Sequence, residues 1–409
     1  MIKRGSLLFS VVSAIAILAC HSDDNGGGEP PDPPVNNYIV YVTGSVSKDN
    51  RGVSRVSLWE NDNINIISKG HADGKYAEGS VRGNQVFVSG GDVYVAGYND
   101  ADSMDYWYLD SATYWKNGEE ITLTEPEICA EAESIFVVGD DVYVAGNIFR
   151  TGWTRQYPVA VLWKNGEPTY LTEYNTNMDD VWDLSSQAFS VCVSGDDVYV
   201  AGCQVTEYLQ GYDATIWKNG EPQIIGDKIH SSVVFSVLVS GEDVYAAGLQ
   251  YRLNHAGVWL PHATLWKNGE PQYLPEKRSD RPDTEDWFNP DISRGQSVFV
   301  SGNDVYVAGY GNSFASGSAG SGSYRALLWK NGEQTVIIDG TSGTDTMAYS
   351  VFVVNDDVFV AGMEETSAGS DNYRARLWKN GVRQYLNTTG YRFSYALSVF
   401  VVESPPITP

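Results

Sequence analysis

A segment of about fifty residues recurs down this chain, and that recurrence constrains the fold more than any local pattern does. Val93-Tyr94-Val95-Ala96-Gly97, followed by Trp115-Lys116-Asn117-Gly118, is the clearest copy. The first half returns at Tyr143, Tyr199, Tyr245, Tyr306 and Phe359, and the second at Trp163, Trp217, Trp266, Trp329 and Trp378. A degenerate first copy reads Val40-Tyr41-Val42-Thr43-Gly44 and Leu58-Trp59-Glu60-Asn61-Asp62. The seven copies are spaced by 53, 49, 56, 46, 61 and 53 residues. A period of this size implies supersecondary units stacked around one continuous core.

The sixth copy shows what each unit builds. Ser297-Val298-Phe299-Val300 is short, apolar and β-branched, as a buried strand requires. Ser301-Gly302-Asn303-Asp304 is a turn cluster, and Val305-Tyr306-Val307-Ala308-Gly309 is a second strand. After a variable segment, Ala326-Leu327-Leu328-Trp329 is a third strand. Lys330-Asn331-Gly332-Glu333 carries the Asn-Gly pair that a type I′ hairpin needs, because both central residues take positive φ. Thr335-Val336-Ile337-Ile338 completes four antiparallel strands. The expected fold is therefore all-β: a seven-bladed β-propeller of four-stranded antiparallel blades. The recurrent tryptophans are expected to fill the space between blades. The aspartate before each second strand belongs to its turn.

The first copy lacks a strand equivalent to residues 297–300. The last apolar run, Ser398-Val399-Phe400-Val401-Val402, has that pattern and no blade of its own. It is expected to complete blade one and to remove the open edge that would invite aggregation. This closure resembles that of WD-repeat and kelch propellers, in architecture only. The Gly-His and Trp-Asp signatures of the WD-repeat are absent, and the kelch double glycine is reduced to one Gly after each Tyr-Val-Ala.

The chain begins with Met1-Ile2-Lys3-Arg4 and an apolar run from Leu7 to Leu18, a signal-peptide pattern too short for a spanning helix. The run ends at Leu18-Ala19-Cys20, which looks like the lipobox of bacterial lipoproteins. That resemblance implies lipidation of Cys20 and a membrane-anchored mature chain, and no cofactor is expected from the sequence. The acidic pair Asp23-Asp24 behind the cysteine is similar to the export signal of Bacteroidota surface lipoproteins, which implies an outer-membrane location facing the exterior. The expected organisation is a signal peptide over 1–19, a Gly/Pro-rich tether over 20–37, the propeller over 38–403 and a tail over 404–409. A net charge of −25 repels phosphate backbones, so nucleic acid is excluded as a partner. Cys129, Cys192 and Cys203 are expected to be buried free thiols, because the hairpin register sets Cys192 opposite Tyr199 rather than Cys203. Their spacing fits no zinc motif.

The turns between strands one and two, and three and four, share one face and are short and uniform. The opposite face carries long connections that differ in every copy, where binding residues usually sit. All five non-repeat tryptophans fall there: Trp107, Trp153, Trp182, Trp259 and Trp287, with Tyr106 among their neighbours. A second candidate set leads into the innermost strands at the mouth of the central channel. It comprises Asn84, Glu133, Phe189, Phe235, Gln296, Tyr349 and Leu397. Aromatic rings mixed with carboxylates and amides suit a glycan, and they suit a protein surface as well. No Gly-x-Ser-x-Gly elbow is present, and the histidine spacing matches no metal motif. The reading is a surface-anchored, non-catalytic propeller that binds a glycan or glycoprotein, as a monomer or as part of an outer-membrane complex. The alternatives are an accessory subunit of such a complex and a polysaccharide lyase or glycosidase.

Overall fold

The computed structural model of the chain describes residues 38–48, 54–68, 81–100, 110–125, 127–151, 156–173, 185–205, 211–253, 257–275, 292–313, 323–338, 344–367, 370 and 372–404. The expected signal peptide, the tether and Cys20 lie outside these residues.

Blade one holds β1 (Tyr38–Ser47), β2 (Arg55–Glu60) and β3 (Asn63–Ile66). Blade two is β4 (Arg82–Ser89), β5 (Asp92–Asp100), β6 (Asp110–Lys116) and β7 (Glu119–Thr122). Blade three is β8 (Ala130–Val138), β9 (Asp141–Thr151), β10 (Gln156–Lys164) and β11 (Glu167–Tyr170). Blade four is β12 (Ser186–Ser194), β13 (Asp197–Val205), β14 (Tyr212–Lys218) and β15 (Glu221–Ile224). Blade five is β16 (Ser232–Ser240), β17 (Asp243–Leu253), β18 (Trp259–Lys267) and β19 (Glu270–Tyr273). Blade six is β20 (Ser293–Ser301), β21 (Asp304–Ser313), β22 (Ser323–Lys330) and β23 (Glu333–Ile338). Blade seven is β24 (Thr346–Val354), β25 (Asp357–Glu365), β26 (Tyr373–Lys379) and β27 (Val382–Gln384). The last strand, β28 (Phe393–Glu403), pairs antiparallel with β1, giving blade one the order β28-β1-β2-β3. The ring is closed as expected, with Val399 opposite Val42 and Val401 opposite Val40.

The repeat tryptophans pack between blades. Trp217 of blade four lies against Tyr143, Ala145 and Ala160 of blade three, and Trp266 of blade five lies against Tyr199, Ala201 and Ala214 of blade four. Across the closure, Trp59 of blade one meets Phe359, Ala361 and Ala375 of blade seven. Each seam therefore needs a large ring on one blade and small residues on the next. That need explains why Trp and Tyr-x-Ala recur together. Six of the seven tryptophans are at most 1% exposed and Trp378 is 3% exposed.

The short turns at the other end are tied into one device in each of blades two to seven. Asn117 and Gly118 take φ of 52° and 82°, as a type I′ turn requires. The Asn117 side chain donates to Asp92 Oδ1 at 2.8 Å and accepts from the Val93 N–H at 2.9 Å. Lys116 reaches Asp92 Oδ2 at 2.8 Å and lies over the Tyr94 ring. Lys116 and Asn117 hold the Asp92 carboxyl below its usual range. The aspartate thus joins two turns rather than serving its own alone. In blade seven Phe359 has no hydroxyl, and Tyr38 of blade one supplies one to Asp357 across the closure. The Tyr38 and Phe359 rings pack edge-on with centroids 5.9 Å apart.

Around the axis, the innermost strands are laced together. Val191 N–H donates to Ser134 Oγ of the preceding blade at 2.9 Å, Val237 to Ser190 at 3.2 Å and Val298 to Ser236 at 3.1 Å. Val351 donates to Ser297, Val399 to Ser350 and Val86 to Ser398, each at 3.2 Å. In the seventh place Ile135 N–H donates to Gln85 Oε1 at 2.7 Å. The circle runs through β28 on both sides, so the C-terminal strand is part of the axial lacing as well as of blade one.

Candidate functional site at the axial mouth

Every innermost strand carries one β-bulge at the same place. The register skips Asn84, Glu133, Phe189, Phe235, Gln296 and Tyr349 in blades two to seven, and Leu397 in blade one. These are the seven residues expected at the channel mouth. They lie within the strands, because each strand starts earlier than its apolar pattern indicates. A bulged residue leaves its neighbours' pairing and is re-aimed. Here the bulged side chains meet across blades: Phe189 and Phe235 pack with ring centroids 5.4 Å apart, and Asn84 Nδ2 donates to Ala132 O at 2.9 Å.

The bulge also explains the glycine that follows each Tyr-Val-Ala. A Cβ built on Gly97, Gly146, Gly202, Gly248, Gly309 or Gly362 would come within 1.8–2.0 Å of a carbonyl oxygen two residues before the bulge. Only glycine allows this approach.

Two residues before the bulge stands a second ring: Arg82, Glu131, Gln187, Val233, Arg294, Met347 and Tyr395. Between the rings the position is always small or buried, as with Gly83, Ala132 and Ala348, so side chains of both rings lie on one side of the strand. Five tyrosines gather where these rings cross blades six, seven and one. Tyr310 lies edge-on to Tyr324 at 5.4 Å and to Tyr349 at 6.2 Å between ring centroids, and Tyr373 packs on Tyr395 at 6.0 Å. The Tyr349 hydroxyl points to Met347 Sδ at 3.2 Å.

Electrostatic effects run between these groups. Burial raises the Tyr349 phenol, with further effects from Tyr310, Arg82, Tyr395 and Tyr373. Burial also raises Tyr395, opposed by Arg82, and raises Tyr310, opposed by Arg294. Burial pushes the Glu131 carboxyl up to about 8, assisted by the charge of Glu133 and opposed by Arg82. Glu133 is raised by burial as well, again against Arg82. Both carboxyls keep a partly accessible surface, as groups lining a channel do. The mouth can therefore present phenol hydroxyls, aromatic faces, two guanidinium groups, three side-chain amides and a carboxyl pair that resists full ionisation. Among the described residues no group of three or more His, Cys, Asp or Glu could hold a metal ion.

Of the residues singled out from sequence, Glu133, Gln296 and Tyr349 are on the bulge ring. Trp259 is elsewhere. It begins β18, the third strand of blade five, is 47% exposed and stacks on His230 with ring centroids 4.3 Å apart. Tyr106, Trp107, Trp153, Trp182 and Trp287 lie outside the described residues. Arg82, Glu131, Arg294, Tyr310 and Tyr395 were not foreseen. The signal for four of them was available as the variable column two positions before the ring. Cys129, Cys192 and Cys203 are buried free thiols, and Cys192 pairs with Tyr199 as expected.

No family model matches the chain, and no curated protein matches it. Solved structures resemble it in fold. The polysaccharide lyase Uly1 is 10% identical with a TM-score of 0.47, over 87% of this chain and 89% of that one. The β-propeller domain of the Trilobed protease from Pyrococcus furiosus is 10% identical with a TM-score of 0.42, over 74% and 81%. The acylaminoacyl peptidase from Pyrococcus horikoshii is 12% identical with a TM-score of 0.39, over 75% of this chain. This chain spans 47% of that peptidase's length. At such identities the likeness is one of fold, and no activity transfers with it.

Proposed function

We propose that this chain is a surface-anchored, non-catalytic propeller that binds a glycan at the axial mouth of its long-loop face. The observation that carries the reading is the convergence of Tyr310, Tyr349 and Tyr395 at two adjacent rings that also bear Arg82, Arg294, Glu133, Asn84 and Gln296. Sugar recognition needs flat apolar faces beside fixed donors and acceptors, and concave sites with few convergent polar groups are where small ligands bind. The carboxyl pair favours binding over hydrolysis. Glu131 and Glu133 are neighbours on one strand, on one side of the mouth. Hydrolytic acid pairs flank the scissile bond instead. The lipobox-like Leu18-Ala19-Cys20 supports an anchor in the outer membrane, and the Gly/Pro-rich segment behind it supports a tether that presents the propeller outward.

The test is a panel of neutral and acidic polysaccharides and their oligosaccharides, titrated calorimetrically against the wild type and Tyr349→Ala. Binding by the wild type that weakens at least tenfold in the variant, at a temperature where both remain folded, supports the reading. Binding indifferent to Tyr349 moves the site away from the axis. No binding across the panel, with co-purification of an outer-membrane protein, favours the accessory-subunit alternative.

A further inference from the structure

The tyrosines at the axial mouth form an arc with an arginine at each end. Arg294 contacts Tyr310 on blade six, Tyr310 packs on Tyr349 of blade seven, and Arg82 acts on both Tyr349 and Tyr395 of blade one from blade two. Resting on the glycan reading above, we infer that the ligand is an acidic saccharide, whose pyranose rings lie along the tyrosine arc while its carboxylates meet Arg82 and Arg294.

Three observations carry this beyond a general sugar site. The first is where the cationic side chains are. The repeat lysines Lys116, Lys164, Lys218, Lys267, Lys330 and Lys379 are each bound to the aspartate of their own blade at the short-turn end. On blade seven, Arg376 and Arg383 are both held by Glu364. The axial arginines are placed differently: Arg294 has the Tyr310 phenol as its neighbour, and Arg82 stands exposed beside Glu131 and Glu133.

The second observation is the state of that pair. Glu131 and Glu133 are both pushed toward the protonated form by burial, and Glu131 further by its neighbour's charge. Burial and mutual repulsion disfavour the joint ionisation of the two carboxyls, so the pair opposes the guanidinium groups with less than its formal charge. The mouth thus sets two guanidinium groups beside a carboxyl pair of reduced charge, on a chain of net charge −25. A neutral sugar would gain nothing from these charges. An anionic one gains a charge-assisted hydrogen bond at each end, and guanidinium geometry matches a carboxylate in two-point contact.

The third observation is the polarity of the wall between the arginines. Its aromatic residues are phenols rather than indoles or phenylalanines, with Met347 and Leu397 beside them, so hydroxyl groups lie at the edges of the ring faces. The phenylalanines Phe189 and Phe235 sit on the opposite side, on blades four and five.

The experiment compares acidic polysaccharides with their carboxyl-reduced forms, in which each carboxylate becomes a primary alcohol and the rings are unchanged. Oligogalacturonate, alginate and hyaluronan oligosaccharides are the probes, with neutral xylan and glucan oligosaccharides beside them. The expected result is binding of at least one acidic probe, weakened roughly tenfold or more by carboxyl reduction and by Arg82→Gln or Arg294→Gln. Arg82 is exposed, so Arg82→Gln keeps the fold, which a matching melting temperature checks. Equal affinity for an acidic probe and its reduced form overturns the inference and leaves the glycan reading standing. So does binding confined to the neutral probes. Binding of none of the probes overturns both.

Discussion

Gly309 lies so close to Arg294 that a Cβ on the glycine would sit 1.9 Å from the arginine's carbonyl oxygen. The contact ties a repeat residue that looks merely structural to the ring that faces the axis. The bulge needs the glycine, and the ring needs the bulge.

Gly309→Ala should therefore reach both the fold and the site. The new methyl meets backbone, which cannot swing away, so the strand pair must shift. Overpacking of this kind costs roughly 1–3 kcal/mol or more. Chemical denaturation should show a lowered midpoint, and ligand affinity should fall with it. Gly302→Ala at the exposed short turn, where a Cβ meets nothing but φ is +58°, provides a comparison that should leave affinity alone. Loss of affinity in both variants, or in neither, contradicts the link.

Closure depends on β28 from two directions, its ladder with β1 and its place in the axial circle. Deleting residues 398–409 removes the axial bonds at Ser398 and Val399 and the rungs of the ladder opposite Tyr38–Thr43, and should yield aggregation on expression. Ser398→Ala removes only the bond from Val86 N–H and should cost about 0.5–1.5 kcal/mol. A truncated protein as soluble and heat-stable as the parent contradicts the closure account.

The two classes of tryptophan should separate cleanly. Trp217→Ala empties a fully buried seam and should cost roughly 3–5 kcal/mol. Trp259→Ala removes a ring that is 47% exposed and should shift the denaturation midpoint little. Similar losses in the two variants would mean that the exposed ring is a structural element of blade five.

The raised carboxyls give a pH dependence of known sign. Glu131 binds its proton more tightly in the folded chain, up to about 8, than in the unfolded one, near 4. Its contribution to stability is therefore fully present below about pH 4 and is lost as pH rises toward 8. Glu131→Gln should flatten the fall in melting temperature between pH 5 and 9 and should make the variant relatively more stable at the alkaline end. Parallel melting profiles for wild type and variant contradict the burial account of this pair.

The fold was legible because its determinants repeat. A tryptophan and a Tyr-x-Ala recur since each seam needs both, and Asn-Gly recurs since each hairpin needs two positive φ values. Seven copies turn each weak local signal into a strong one. The bulge left a trace, the single glycine after each Tyr-Val-Ala, but a glycine inside a strand does not reveal which carbonyl presses on it. The ring of Glu133, Gln296 and Tyr349 was readable as a column. Its companions were not, because Arg82, Glu131, Arg294 and Tyr395 differ in type from blade to blade and become a site only when the ring closes. Tyr310 joins from the second strand, through a cross-strand register with Arg294 that no spacing announces.

The most direct measurement is a crystal structure of the chain with the saccharide that binds it most tightly in solution. The account predicts sugar density over Tyr310, Tyr349 and Tyr395 at the axial mouth, within hydrogen-bonding distance of Arg82 or Arg294. Density seated on the outer edge of a blade, with the mouth filled by solvent alone, would contradict it.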